Sequence, residues 1–221
     1  MVITGGLVSG SVSAGSQPTV GPEAKVIAAT LACIARWGLS KTTLDDVARE
    51  AGVSRATVYR LFPGGKPALF RACGASEISR LLLELTNSLD SAGSLDDLLV
   101  RVIGGAAGFA ATNEAIQMLL RHEPWVLLPF LAFDRQGPIL EAAVVFLAPH
   151  LERFVEHQVA TETVEWAARL VISYTFAPSV TTDLTNDVDV RRMVTNHLMP
   201  GVRLASESSP ISKNTLTTPS V

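Results

Sequence analysis

Apolar positions recur at spacings of three and four along almost the whole chain, and no alternating strand-type run interrupts them, so the pattern predicts an all-α protein. Between residues 23 and 37, Val26, Ile27, Leu31, Ile34 and Ala35 share one helical face, and the run stops at Gly38. Thr42 or Thr43 caps a short second helix with Leu44, Val47, Ala48 and Ala51 inward and Gly52 at its end. Asp46 stands three residues after Thr43, the spacing of a capping box. Ser54 caps a third helix, in which Val58, Leu61 and Phe62 face inward and Val53 pairs with Val58 as a hydrophobic staple. Pro63-Gly64-Gly65 then breaks the chain. A fourth helix is predicted from near Lys66 to about Asp90, with Leu69, Phe70, Ile78, Leu81, Leu82 and Leu85 inward and Gly74 as a candidate bend. Five more are expected near 95–111, 113–122, 137–158, 162–177 and 187–198, about nine in all, punctuated by Pro124, Pro129, Pro138, Pro178 and Pro200. Residues 1–21 and 205–221 lack periodicity and read as disordered tails. They flank a small unit over 22–70 and a larger one over 71–204.

Composition alone argues for a packed interior and against nucleic acid: 48% of the 221 residues are hydrophobic, 18% are charged, and the net charge is −3. The distribution of charge changes that picture. Residues 22–75 hold eight cations against four anions, a net of +4, which leaves −7 for the remainder. A basic head on an acidic body points to a polyanionic partner for the head. No apolar run approaches the roughly 18 residues a membrane span needs, and the N-terminus lacks a basic signal-peptide region, so a cytoplasmic protein without a membrane partner is expected. Cys33 and Cys73 fall in apolar helical pattern without metal-type spacing and read as buried small hydrophobes. His122, His150, His157 and His197 are scattered, and the sequence carries no HExxH, GxSxG, P-loop or GxGxxG motif. Neither catalysis nor a metal or cofactor site is expected.

The third helix poses a question. Arg55 follows the Ser54 cap directly, placing a cation where the unpaired N–H groups already make the helix end positive. Residues not needed for the core are Arg55, Ala56, Thr57, Tyr59 and Arg60, a face of two guanidinium groups, two hydroxyls and two methyls. That set suits a DNA major groove: arginine donates twice to guanine, methyl groups meet thymine methyls, and hydroxyls reach phosphates. The alternative is an ordinary solvated surface. A helix, a short glycine-containing turn and a second, capped helix form the helix-turn-helix arrangement, which favours the first reading.

The stretch TTLDDVAREAGVSRATVYRLFPGGKPALF, residues 42–70, preceded by ARWG, resembles the DNA-binding domain of the TetR family of bacterial repressors. The resemblance covers about 50 residues. It implies a duplex DNA operator as partner, with Thr43 touching phosphate, Ser54 capping the reading helix, and Arg55, Ala56, Thr57 and Tyr59, beside Arg60, meeting bases and adjoining backbone. Lys66 fits a phosphate contact, although the Pro63-Gly64-Gly65 link is one residue longer than is usual in the family.

For the body, the resemblance implies a helical domain that forms a homodimer and binds a small effector. The segment LLRHEPWVLLPFLAFDRQGP, 119–138, mixes Trp125, Phe130 and Phe133 with leucines and two prolines. With Phe109, Met118, His122 and Phe146 it is a candidate wall for a pocket taking an apolar or amphipathic molecule; core filling is the alternative. Arg121, His122 and Glu123 are polar-anchor candidates, although each alone reads more readily as a surface ion pair or a satisfied histidine. Val164, Ala167, Ala168, Val171, Ile172, Val190, Met193, Val194 and Leu198 are candidates for a two-fold interface, with intrachain core as the alternative. The expected function is a ligand-responsive repressor on a palindromic operator; the rival is a helical protein-interaction module without an inducer.

Overall fold

In the computed structural model, residues 21–131 and 137–208 are described, and among them all regular structure is helical. The head comprises α1 (Pro22–Trp37), α2 (Leu44–Glu50), α3 (Arg55–Leu61) and the start of α4 (Gly65–Leu89). The body adds α5 (Leu95–Thr112), α6 (Glu114–His122), α7 (Pro124–Leu131), α8 (Gly137–Leu151), α9 (His157–Phe176), α10 (Asp187–Met193) and α11 (Met199–Ser208). A π-helical turn, Val194–Leu198, joins α10 to α11 without a break.

Local chemistry sets most helix starts. Thr43 accepts from the Asp46 amide and Asp46 answers the Thr43 amide, a complete capping box. Ser54, Ser94, Asn113 and Asn186 each accept an N–H of their helix's first turn. Between α2 and α3, Gly52 has φ +67°, the left-handed region that glycine enters without strain, and this makes the tight turn of the helix-turn-helix. α4 runs unbroken through Gly74.

Two cores result. Val26, Cys33, Val47, Ala48, Val58, Phe62, Leu69 and Cys73 fill the head, with Val53 packed against them as the staple requires. Both thiols are free and buried, and burial pushes the Cys73 thiol up to about 12. The body core centres on α5, whose Leu95, Leu98, Leu99, Val102 and Ile103 are buried among α4, α9 and α10. Arg101 ties α5 to the end of α4: it pairs with Asp97 at 2.9 Å and donates to the Ser88 carbonyl at 3.0 Å. A small third cluster, Ile34 with Ala115 and Leu119, joins α1 to α6, so the head rests on the body.

Several boundaries differ from expectation. The extra helix α7 begins at Pro124, where a missing N–H costs nothing in a first turn. The run expected over 137–158 ends at Leu151, because Arg153 turns back and donates to the carbonyls of His150 (3.1 Å) and Leu89 (3.1 Å), closing the ends of α8 and α4 together. α9 accordingly starts at His157 rather than near 162. Pro200 does not stop the last helix. The widened turn before it, with the Met199 amide bonded to Val194, lets the helix continue to Ser208, past the expected tail boundary at 205.

Leu98 is fully enclosed. Leu98→Ala should lower unfolding free energy by about 2–5 kcal/mol in urea titrations followed by circular dichroism.

Candidate nucleic-acid interface

α3 is anchored from below and open above. Val58 is fully buried in the head core, while Arg55, Ala56, Tyr59 and Arg60 are exposed and Thr57 is half-buried. Ser54 Oγ accepts from the Thr57 amide at 3.1 Å and lies 2.9 Å from the Thr57 hydroxyl, so cap and first turn are one hydrogen-bonded unit.

The cation at the positive end of α3 is partnered. Arg55 lies 3.2 Å from Asp45 in the first turn of α2, and its other nitrogen donates to Tyr59 Oη at 3.4 Å. The guanidinium also stands over the Tyr59 ring, 5.5 Å from its centroid. The Tyr59 hydrogen bond and then the Asp45 charge hold Arg55 still more firmly in its charged form. Asp45 was not foreseen as its partner; an acid in α2's first turn is already explained by that helix's own dipole. The pair is well exposed, so it restrains Arg55 only weakly and leaves it ready to turn to an external acceptor.

Thr43 is exposed at the start of α2, its hydroxyl donating to Asp46 at 2.5 Å. Lys66 is half-buried. Its Nζ donates to the Ser40 carbonyl at 3.3 Å and stands 5.2 Å from the Phe70 ring centre. The longer link is absorbed by a turn in which the Gly65 amide bonds to the Phe62 carbonyl at 2.8 Å. Lys66 therefore reaches its own head's backbone.

Residues 26–73 match the family model described as bacterial regulatory proteins, tetR family. Over those residues the chain resembles the TetR family. An HTH-type transcriptional regulator of Mycobacterium bovis is 32% identical over 99 residues, and one of Mycobacterium tuberculosis 26% identical over 99; each alignment takes in 45% of this chain and 50% of the relative. The chain thus spans about half the length of the curated relatives it matches. Among solved structures, the TetR-family repressor AlkX of Dietzia sp. strain DQ12-45-1b, implicated in biodegradation of n-alkanes, superposes with TM-score 0.64 at 23% identity, over 83% of this chain and 96% of that one. FadR of Bacillus subtilis, in complex with stearoyl-CoA, gives TM-score 0.51 at 16% identity over 78% and 97%. At these identities the likeness speaks for the fold.

The described pocket candidates of the body lie apart from one another. Phe109 is buried beneath the Arg80 guanidinium, 4.7 Å away, and Phe146 packs at the edge of the main core near His150. Met118 is half-buried on α6, whereas His122 and Trp125 are exposed. Phe133 and the Phe130 side chain lie outside the described residues. None of the described members lines either of two clefts in the body. One, of about 340 Å³, lies between α5, α6 and the end of α9, with Ala107, Gln117, Tyr174 and Asp183 in its wall. The other, of about 790 Å³, separates α8 from α9 and is walled by Leu140, Val144, Ile172 and Phe176, with Glu165 and Arg169 at hand. Helix periodicity marks an inward face but not which neighbour it meets.

The candidate interface residues divide between core and surface. Val164, Ala167, Val190, Met193 and Val194 are buried in this chain's own core, and Val171 and Leu198 pack against it. Ala168 is half-buried, and Ile172 faces the wider cleft. The large outward apolar residues on this side are Val145 of α8, 78% exposed, and Trp166 of α9, 65% exposed. Glu123, expected at a surface, is buried.

The Asp46 carboxyl is held below its usual range, first by the Thr43 hydroxyl, and further by the Thr43 amide and the Arg49 charge. A lowered folded-state value means stability present above the ordinary carboxylate range and lost as pH falls through the lowered value. Asp46→Asn should therefore be less stable than wild type near neutrality, and the two urea midpoints should converge in acid.

Proposed function

We propose that this chain is a ligand-responsive transcriptional regulator: a repressor that binds a palindromic operator as a homodimer in the cytoplasm and leaves it when a small apolar or amphipathic molecule enters the body. The observation that carries the reading is the outward face of α3, where Arg55, Ala56, Tyr59 and Arg60 stand exposed on a helix pinned by Val58. Guanidinium donors and methyl groups on a capped, rigid helix supply direct base contacts in the major groove, and the Ser54 end directs backbone amides at phosphate. Thr43 supports the same face from α2. Lys66 joins it only by exchanging the Ser40 carbonyl for a phosphate.

The partner copy seats best on the α8–α9 side, where Val145 and Trp166 are left to solvent. Two reading helices related by that two-fold would address half-sites about 34–36 Å apart, one turn of DNA. Effector class is drawn from the apolar walls of the α8–α9 cleft and, among the structural neighbours, from a repressor implicated in biodegradation of n-alkanes and a complex with stearoyl-CoA. A long acyl chain or its thioester is the first compound class to try. A cleft volume of about 790 Å³ lies within the usual range for ligand sites. Release of DNA requires the ligand to favour one of two states, and a hundredfold coupling corresponds to about 2.7 kcal/mol.

Fluorescence anisotropy with labelled duplex from the DNA flanking the gene tests the reading. Wild type should bind with an affinity that falls steeply with salt, and Arg55→Ala should weaken specific binding about five- to a hundredfold while leaving the fold intact. Equal affinities for Arg55→Ala and wild type would favour the protein-interaction reading instead. Light scattering should give a dimer for wild type and a monomer for Trp166→Glu.

A further inference from the structure

Glu123 lies between α6 and α7, and it is the one charged residue among the buried polar side chains described. Among the described residues no cation pairs with it; its partners are main-chain amides of the head. One carboxylate oxygen accepts from Leu39 N at 2.7 Å and Ser40 N at 3.1 Å, and the other from Ser40 N at 3.3 Å. These amides follow the end of α1, where the chain turns toward α2. A buried carboxylate is tolerated because such charge-assisted bonds replace its water.

The head is shaped to receive this carboxylate. Gly38 has φ +83°, and a Cβ there would sit 2.8 Å from the Glu123 carboxyl carbon. The other groups of the turn are spoken for within the head: Thr42 donates its hydroxyl to the Gly38 carbonyl at 2.7 Å, and Lys66 donates to the Ser40 carbonyl at 3.3 Å. Thr43, the α2 cap, comes next in the chain. At the other end of α6, the buried Asn113 caps the helix at Ile116 (3.0 Å) and donates its amide to Glu77 of α4. α6 is thus tied to α4 at one end and to the head's first turn at the other.

We propose that Glu123 is a positioning residue for DNA reading: it clamps the α1–α2 turn to the C-terminal end of α6 and so fixes the tilt of α2 and α3 on the body. This rests on the DNA-reading role proposed above for α3. The body then governs the reading helix by three connections: the continuous backbone of α4, the apolar contact of α1 with α6, and a carboxylate–amide clamp about 35 residues beyond the end of α4.

Full-length wild type, Glu123→Gln and Gly38→Ala test it. Glu123→Gln keeps the size but removes the charge, so the bonds from Leu39 N and Ser40 N lose their charge assistance and one of the two accepting oxygens becomes an NH2 group. Gly38→Ala expels the carboxylate from the opposite side. In both variants the Leu39 and Ser40 amides should exchange with deuterium about tenfold faster or more, while α5 amides keep wild-type protection. Affinity for the promoter-flanking duplex should fall about tenfold, with an unchanged salt slope because no phosphate contact is removed. Unchanged exchange at Leu39 and Ser40 would overturn the clamp. Faster exchange with undiminished duplex affinity would overturn the positioning role, as would a parallel loss of protection throughout α5 in both variants. Wild type that binds no duplex at all would instead sink the DNA reading itself, with the exchange result still deciding whether the clamp exists.

Discussion

One helix belongs to two cores. α4 gives Leu69 and Cys73 to the head and Leu85 and Leu89 to the body, over 25 residues that rise about 37 Å. A head of about 50 residues buries too little surface to be securely stable alone, and here it leans on the body along α1 and α6 as well. The orientation of α3 is consequently a property of the whole chain. Any rearrangement of the body that shifts the lower half of α4 must be absorbed by bending, by slippage at the α1–α6 contact, or by rotation of the head.

The exposed face of α3 illustrates how a sequence keeps a cation in an unfavourable place. Arg55 meets the positive end of its own helix, but Asp45, fixed by the first turn of α2, supplies the opposite charge across the turn. The arrangement stays open to solvent, so little desolvation is incurred and the guanidinium remains available to another acceptor. A buried pair would have held Arg55 in a single pose. The fixed part of α3, Val58 and the Ser54 cap, is instead separate from the exposed guanidinium.

Much of this was legible in the chain itself. The head was readable because its signals are local: a hydroxyl cap before each short helix, glycine after α1 and α2, and apolar spacing that leaves one face over. The body was harder because its signals are relational. Val164, Ala167 and Val190 announce a buried face, but only packing shows that α5, not a second copy, covers it. The end of α8 is set by Arg153 reaching the carbonyl of Leu89, a contact between residues 64 apart that no window of sequence displays. Glu123 is the sharpest case. Between a histidine and a proline it looks like a solvated charge, and its burial becomes intelligible only when Leu39 and Ser40, more than 80 residues earlier, are brought beside it. The start of α7, by contrast, had its signal in plain view, since proline is a favoured first residue of a helix.

The chain's two sulfhydryl groups have a bearing on oxidants. Both sit inside the head core, and burial disfavours the thiolate at Cys33 as at Cys73. Peroxide and disulfide reagents act on thiolate, so cysteine offers such chemistry no entry to the folded head. Thiol oxidation of the head is therefore disfavoured for as long as its core stays packed.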